Sequence, residues 1–178
     1  MLTSEELLQH YRRQRRWTRA LVAAIPEEYF PWRPAPDAFG CGDLVRHLMQ
    51  SEIFWNRLLC RAARGEPYDP FGLPGGPEER LEALRQPNLQ SSRDEKYGAS
   101  FAGCLERWAE IQKRTEHDLA ALEDAWLGRL ATHPLTGLEA AVWEMALVML
   151  AHEGHHRGQL SAYLKMLGVP QPAAIWTG

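Results

Sequence analysis

The sequence predicts an all-α protein with the architecture of a four-helix bundle. Four long segments carry apolar residues at the i, i+3, i+4, i+7 spacing of an amphipathic helix, and no segment shows a strand pattern. The connection over residues 65–98, between the second and third helices, is long enough to cross the bundle. We therefore predict an up-down-down-up order and a single domain over residues 1–178.

The first two helices have clear start and stop signals. The first is predicted from about Ser4 to Ile25, since Thr3 and Glu6 have the spacing of a capping box and a proline follows the helix. The second is predicted from about Cys41 to Arg64 and is followed by a glycine. His47 falls within the apolar stripe of this second helix, so we expect its side chain to point inward.

The second half of the chain predicts two further long helices. The third spans about Ser100 to Glu123, and a short helix over about Pro77–Arg85 interrupts the long connection before it. The fourth is predicted to begin at Thr136, because Thr136 and Glu139 repeat the capping-box spacing. It is predicted to run to about Leu167, where a glycine and a proline stop it.

Composition argues against several classes of function. The net charge of −3 and the pI near 6.2 give no global field for nucleic acid or a membrane surface. The longest apolar run, Met145–Ala151, is far too short to span a bilayer, and the N-terminus lacks the apolar core of a signal peptide. Scattered cysteines without a CxxC pair favour a reduced, cytoplasmic compartment: Cys41, Cys60 and Cys104.

Five arginines on the first helix form the strongest local concentration of charge. They are distributed around the helix, and the chain as a whole is acidic, so we expect a solvated face paired with carboxylates. No nucleic-acid partner is predicted from them: Arg12, Arg13, Arg15, Arg16 and Arg19.

The most informative segment is His152-Glu-Gly-His-His156 in the fourth predicted helix. The two outer histidines are one helical turn apart, a spacing that suits two imidazoles on one metal ion. The string also matches the H-E-x-x-H signature of zinc proteases. A protease of that kind takes its third ligand from downstream, and residues 157–178 contain no Asp, Glu or His. The protease interpretation is therefore rejected.

An upstream residue supplies a third candidate ligand. His47 lies on an inward stripe, and facing helices of a bundle bring inward side chains into one layer of the core. Three imidazoles make an open site with room for water or substrate, and they suit Zn²⁺, Ni²⁺, Cu²⁺ or Fe²⁺. His155 projects away from this face, and the remaining histidines are predicted to lie on the surface: His10, His117 and His133.

Two sequence blocks carry a resemblance to a known family. Residues 36–47, which end in His47, and the block His152-Glu-Gly-His-His156-Arg-Gly-Gln-Leu160 resemble the DinB/YfiT-like family. The resemblance implies a four-helix bundle that binds a divalent metal ion through His47, His152 and His156, and it suggests a homodimer. Gly40 stands where the family often has a serine that caps the helix, and glycine at an N-cap lowers helix stability only slightly relative to serine.

The resemblance also implies a range of activities, since members include thiol S-transferases and isomerases that use bacillithiol, mycothiol or glutathione. We predict a metal-dependent thiol S-transferase that joins a low-molecular-weight thiol to a small electrophilic substrate. Glu153, Arg157 and Gln159 are candidates for positioning roles around the metal. A metal-dependent hydrolase and a non-catalytic, stress-associated metal-binding protein remain alternatives.

Overall fold

Helices make up most of the chain, as the sequence predicts. A computed structural model describes residues 2–92 and 100–173. Its elements, in chain order, are α1 Ser4–Ala23, α2 Cys41–Ala63, α3 Pro77–Ser92, α4 Phe101–Ala120, α5 Asp124–Leu127, β1 Leu130–Thr132, β2 Glu139–Ala141 and α6 Val142–Met166, with a short 3-10 helix at Glu27–Tyr29.

The long helices α1, α2, α4 and α6 enclose the interior. α2 packs against α4 and α6, and α1 packs against the same two helices from the other side. Apolar side chains from all four fill two buried clusters, one around Trp55 and Met145 and the other around Leu44 and Trp108. A mostly helical fold is thereby confirmed, while the up-down-down-up order remains a prediction.

Capping groups explain why α1 begins where it does. The Thr3 hydroxyl accepts a hydrogen bond from the Glu6 N–H at 3.2 Å, and the Glu6 carboxylate accepts one from the Thr3 N–H at 2.8 Å. These two bonds satisfy backbone donors that have no partner within the helix. The capping box predicted from Thr3 and Glu6 is therefore correct.

The predicted start of the fourth helix at Thr136 is wrong, and the chain is not purely α. Residues 130–141 form an antiparallel hairpin instead, in which Leu130 lies opposite Ala141. Gly137 has a φ of 67°, a conformation that glycine adopts more readily than other residues, and it lies in the turn before β2. α6 begins only at Val142, where the Glu144 carboxylate accepts the Ala141 N–H at 2.9 Å. Glu144 thus performs the capping that the sequence spacing assigned to Glu139.

The segment between α2 and α4 also differs from its prediction. The short helix expected over Pro77–Arg85 extends to Ser92 as α3 and packs against α2. Residues 93–98 of the predicted connection lie outside the described residues. No helix in the described part of the chain has a stretch long and apolar enough to traverse a lipid bilayer.

Close backbone packing fixes the start of α2, the helix that carries His47. A Cβ atom added to Gly40 would lie 2.4 Å from the Trp32 carbonyl oxygen, well inside van der Waals contact. The Gly40 N–H donates to the Asp43 carboxylate at 2.9 Å, which caps the helix. The close backbone of Trp32 therefore requires glycine at position 40. Capping preferences in the sequence did not predict this requirement.

Candidate metal centre

The structure brings the three predicted ligands together. His47 comes from the second turn of α2, and His152 and His156 come from adjacent turns of α6, which packs against α2. One ring nitrogen from each histidine lies within 4.8 Å of the other two, so the set can hold a metal ion. The ring centroid of His47 is 4.6 Å from that of His156 and 5.4 Å from that of His152.

The spacing of the two α6 histidines fits a shared ion. Their Nε2 atoms are 3.2 Å apart. Two nitrogens bound at roughly 2.0–2.1 Å to one tetrahedral zinc ion would be separated by about 3.3 Å. The side chains therefore need little movement to coordinate a cation between them, because the helical i, i+4 spacing already sets the distance.

Hydrogen bonding fixes the tautomer of His156. Its Nδ1 donates to the Gln159 side-chain oxygen at 2.7 Å, so the lone pair of the neutral ring is on Nε2, which faces His152. Such a contact orients a metal-binding histidine and raises its basicity. Gln159 therefore contacts a predicted ligand directly, in keeping with its predicted positioning role.

The two ring nitrogens of His47 form only one hydrogen bond with the described residues. Its Nε2 lies 3.3 Å from the Ser51 hydroxyl, one turn along α2. Its Nδ1 is buried, and none of the described residues forms a hydrogen bond with it. A buried ring nitrogen without a partner is costly, so the described residues alone do not fully satisfy the His47 ring.

The three histidines are held in the neutral form that a metal ion requires. Burial and the neighbouring histidines lower the pKa of His47 to about 3 and that of His152 to about 4. Burial also lowers the pKa of His156. Because neutral imidazoles compete poorly for protons and present free lone pairs, the cluster is suited to a cation at neutral pH.

A cleft of about 610 Å³ reaches this cluster, and both His47 and His152 line it. Much of the rest of its wall is apolar or aromatic, including Phe54, Trp55 and Phe71. A volume of this size accommodates a small organic molecule. The arrangement therefore places an apolar pocket directly beside a candidate metal centre.

Glu153, a predicted positioning residue, is buried on a different side of α6 from His152 and His156. Only 2% of it is exposed, and its carboxylate contacts the Arg15 guanidinium at 3.0 Å and accepts a hydrogen bond from Thr18. It therefore faces α1, away from the imidazoles. Arg157 is on the same side, where it donates to the Gln14 side chain at 2.6 Å and stacks over Trp17.

Two buried polar residues escaped the sequence analysis. Arg15 was expected on a solvated face but is 6% exposed, and a signal was available, because it continues the buried stripe of Tyr11 and Thr18. His133 was expected on the surface but is 8% exposed. It sits in the hairpin that the sequence pattern did not predict, so no signal could have located it. His155 is exposed.

Comparison with known proteins gives a consistent result. The family model of the DinB superfamily matches residues 10–160. YjoA of Bacillus subtilis strain 168, described as an uncharacterized protein, is 24% identical over 171 residues, which cover 94% of this chain and 93% of YjoA. The crystal structure of YjoA, a DinB-like protein, matches with a TM-score of 0.63 and 17% identity. That match covers 93% of this chain and 95% of the YjoA chain, and it shows a shared fold.

Proposed function

The chain belongs to the DinB superfamily, and from this premise we propose that it is a divalent-metal-binding thiol S-transferase acting on small electrophiles. His47, His152 and His156 would bind the metal ion. The observation that carries the proposal is the position of the cleft, which opens on the imidazole cluster and has apolar walls. A cytoplasmic location and a homodimer are expected with it.

The number of protein ligands favours catalysis over a structural role. Structural zinc is closed by four protein ligands, whereas three leave a position for an exchangeable group. A divalent ion bound there would act as a Lewis acid that favours the thiolate form of a bound thiol. The metal can be Zn²⁺, Ni²⁺ or Fe²⁺, since imidazole suits all three.

The proposed reaction is a nucleophilic substitution. The sulfur of a low-molecular-weight thiol such as bacillithiol or mycothiol forms a bond to an electrophilic carbon of the substrate. The bond from that carbon to the leaving group breaks, and the leaving group departs with the bonding electrons. The thiol proton goes to solvent, so no oxidant or reductant is needed. The apolar wall of the cleft would hold the electrophile and exclude water, which competes as a nucleophile.

Nearby polar residues fit positioning roles in this proposal. Gln159 would hold the His156 ring through the hydrogen bond at Nδ1. Glu153 and Arg157 would act at a distance by tying α6 to α1, since both contact side chains of α1. The hydrolase alternative is weaker, because Glu153 is committed to Arg15 and Thr18 and cannot serve as the base of an H-E-x-x-H site.

Metal content tests the shared premise. We expect purified protein to bind about one divalent ion per chain, measured by mass spectrometry of zinc, nickel and iron after dialysis. The variant His47→Ala should lose the ion, and His155→Ala should retain it, because His155 is exposed and adjacent to the same helix turn. Equal metal content in the two variants would remove His47 from the site.

Thiol dependence tests the reaction. Metal-loaded protein is mixed with a model electrophile, such as a benzyl halide, and with bacillithiol, mycothiol, glutathione or no thiol. We expect thioether formation faster than in the His152→Ala control with at least one thiol. Metal binding without acceleration by any thiol would favour the non-catalytic alternative. Hydrolysis of ester or amide substrates at the same site would favour the hydrolase.

A further inference from the structure

The β1–β2 hairpin carries His133 into the wall of the cleft beside the candidate metal centre. Its backbone N–H donates to the Leu138 carbonyl at 2.8 Å, and its carbonyl accepts from Gly137 at 2.9 Å, so the turn holds it at both ends. The His133 ring packs against two aromatic side chains of α2, 5.0 Å from Trp55 and 5.5 Å from Phe54 between centroids. It is therefore a fixed group of the wall.

The turn also determines which nitrogen of His133 carries the proton. Its Nδ1 lies 3.3 Å from the backbone N–H groups of both Leu135 and Thr136. An imidazole nitrogen that accepts hydrogen bonds has its lone pair there, so in the neutral ring the proton is on Nε2. Burial lowers the pKa of His133, which keeps the ring neutral at pH 7. The hairpin thus presents an Nε2–H donor with a set orientation.

This donor has no partner within the described chain. No described residue hydrogen-bonds the Nε2 of His133, although the residue is 8% exposed and lines the cleft. The Nε2–H is open to the solvent of the cleft, so a molecule that fills the cleft leaves this donor unsatisfied unless it supplies an acceptor. His47 and His152 line the same cleft, so that molecule would also lie beside the metal centre.

The aromatic side chains that line the cleft indicate which kind of molecule would carry this acceptor. The Phe54 ring lies at the centre of a cluster of aromatic side chains. Its centroid is 5.8 Å from that of Tyr68 and 5.6 Å from that of Phe71, and it also packs against His133. Aromatic walls of this kind favour flat apolar rings over aliphatic polar molecules. The Nε2–H of His133, which the turn holds against this aromatic wall, then favours rings that carry an acceptor.

We propose that His133 is a binding and specificity-determining residue, and that the electrophile taken by the cleft is an aromatic compound with a hydrogen-bond acceptor such as a carbonyl or nitro oxygen. The aromatic group around Phe54 holds the ring, and the Nε2–H of His133 donates to the acceptor. This inference deepens the proposed function and rests on it for the identity of the ligand as the electrophile.

The test uses two probes of the same shape that differ in the acceptor: acetophenone, with a carbonyl oxygen, and α-methylstyrene, with a methylene group in its place. Dissociation constants are measured by ligand-observed NMR on the full chain, both metal-loaded and treated with a chelator. The chelator arm separates the His133 contact from any contact of the carbonyl with a metal ion. We expect the wild type to prefer acetophenone about two- to tenfold in both arms, the value of one hydrogen bond.

Three variants complete the design. His133→Phe keeps an aromatic ring against Trp55 but has no donor, so it should bind both probes equally. His133→Gln retains an N–H group at a similar reach and should keep part of the preference. Val148→Trp narrows the cleft from α6 and should weaken both probes alike, which verifies where they bind.

Several outcomes would overturn the inference: a wild type without preference in the chelator arm, a preference that survives in His133→Phe, or binding unchanged in Val148→Trp. The wild-type comparison stands even if His133→Phe fails to fold. Failure of the proposed function is distinguishable, because these binding constants need no thiol and no turnover. Thiol transfer without a preference for acetophenone would leave the proposed function standing and reject the role of His133.

Discussion

Two polar clusters share helix α6, one fully buried and the other half-buried beside the cleft, and their polar groups interact in opposite ways. The imidazole cluster consists of His47, His152 and His156. The charge cluster consists of Arg15, Glu52 and Glu153. Residues 152 and 153 are neighbours in the sequence, yet a 100° turn of the helix sends one to each cluster.

The charge cluster contains its own counterions. Arg15 contacts Glu153 at 3.0 Å and Glu52 at 3.4 Å, and Glu52 also accepts hydrogen bonds from Tyr11 at 2.6 Å and from Trp108 at 3.0 Å. Burial alone would lower the pKa of Arg15, but the two carboxylates outweigh it and raise that pKa above its ordinary value. Arg15 thus lies between two carboxylates and serves as the cation for both, so the side chains of the cluster hold one another in place.

The imidazole cluster consists of three histidines, whose rings carry nitrogen lone pairs and no charged partner side chain. Its nitrogens face one another across 3.2 Å, and the buried Nδ1 of His47 lacks a partner among the described residues. Burial and mutual proximity favour the neutral rings. A buried ion-pair cluster therefore holds three helices together, whereas a cluster of neutral imidazoles beside a cleft offers nitrogen lone pairs to a cation.

The largest expected effect comes from breaking the charge cluster. Arg15→Ala leaves two carboxylates buried without a counterion, so we expect the free energy of unfolding to fall by about 3–5 kcal/mol. Urea unfolding followed by circular dichroism measures it. The control Arg16→Ala removes an exposed arginine from the same helix and should change stability by less than about 0.5 kcal/mol. Similar losses in both variants would show that the contacts of Arg15 with Glu52 and Glu153 do not stabilise the fold.

A smaller effect is expected at the edge of the imidazole cluster. Gln159→Leu removes the acceptor that orients His156, so metal affinity should fall by roughly 10- to 100-fold with little change in stability. Competition with a chromogenic chelator measures the affinity. Gln14→Leu is the matched control, since Gln14 contacts Arg157 on the opposite side of α6 and should leave metal affinity unchanged. If Gln14→Leu lowered the metal affinity and Gln159→Leu did not, the metal ion would lie on the Gln14 side of α6 and not on the Gln159 side.

The smallest effect is a pH dependence of the metal-free protein. Burial lowers the pKa of His47 to about 3 and that of His152 to about 4 in the folded chain, whereas a histidine of the unfolded chain has a pKa near 6.5. Between these values the unfolded state binds more protons, so the free energy of unfolding should decrease as the pH falls below about 6.5. The slope is at most about 1.4 kcal/mol per pH unit for each histidine. Urea midpoints at pH 7 and pH 5.5, with chelator present, measure it.

The variant His152→Leu provides the control for that dependence, because it removes one of the two titrating rings from the cluster. Its stability should decrease less steeply over the same pH interval. An equal slope in the variant and the wild type would show that other groups determine the acid sensitivity.

The helices and the three histidines could be predicted because they depend on local spacing. The capping box at Thr3 and Glu6 and the apolar stripes follow from the helical repeat. The pair His152 and His156 follows from the same repeat, since residues four apart lie on one face. His47 needed only the further rule that inward faces of packed helices meet.

The hairpin and the charge cluster could not be predicted in the same way. Thr136 and Glu139 have the spacing of a helix start, but Gly137 adopts a positive φ there and Glu144 caps α6 instead. His133 became a wall residue of the cleft only because this hairpin folds against α2. Arg15 could have been placed inward by its spacing, yet its carboxylate partners lie on two other helices.

The sequence by itself determined the helices, the family and the set of histidines, because periodicity, capping and residue spacing act over a few residues. The tertiary structure decided which polar residues are buried together, which tautomer His133 adopts and where the cleft opens. Those properties depend on contacts between segments far apart in the chain. The H-E-x-x-H string is therefore one motif in the sequence, while the fold places its two histidines in the imidazole cluster and its glutamate in the charge cluster.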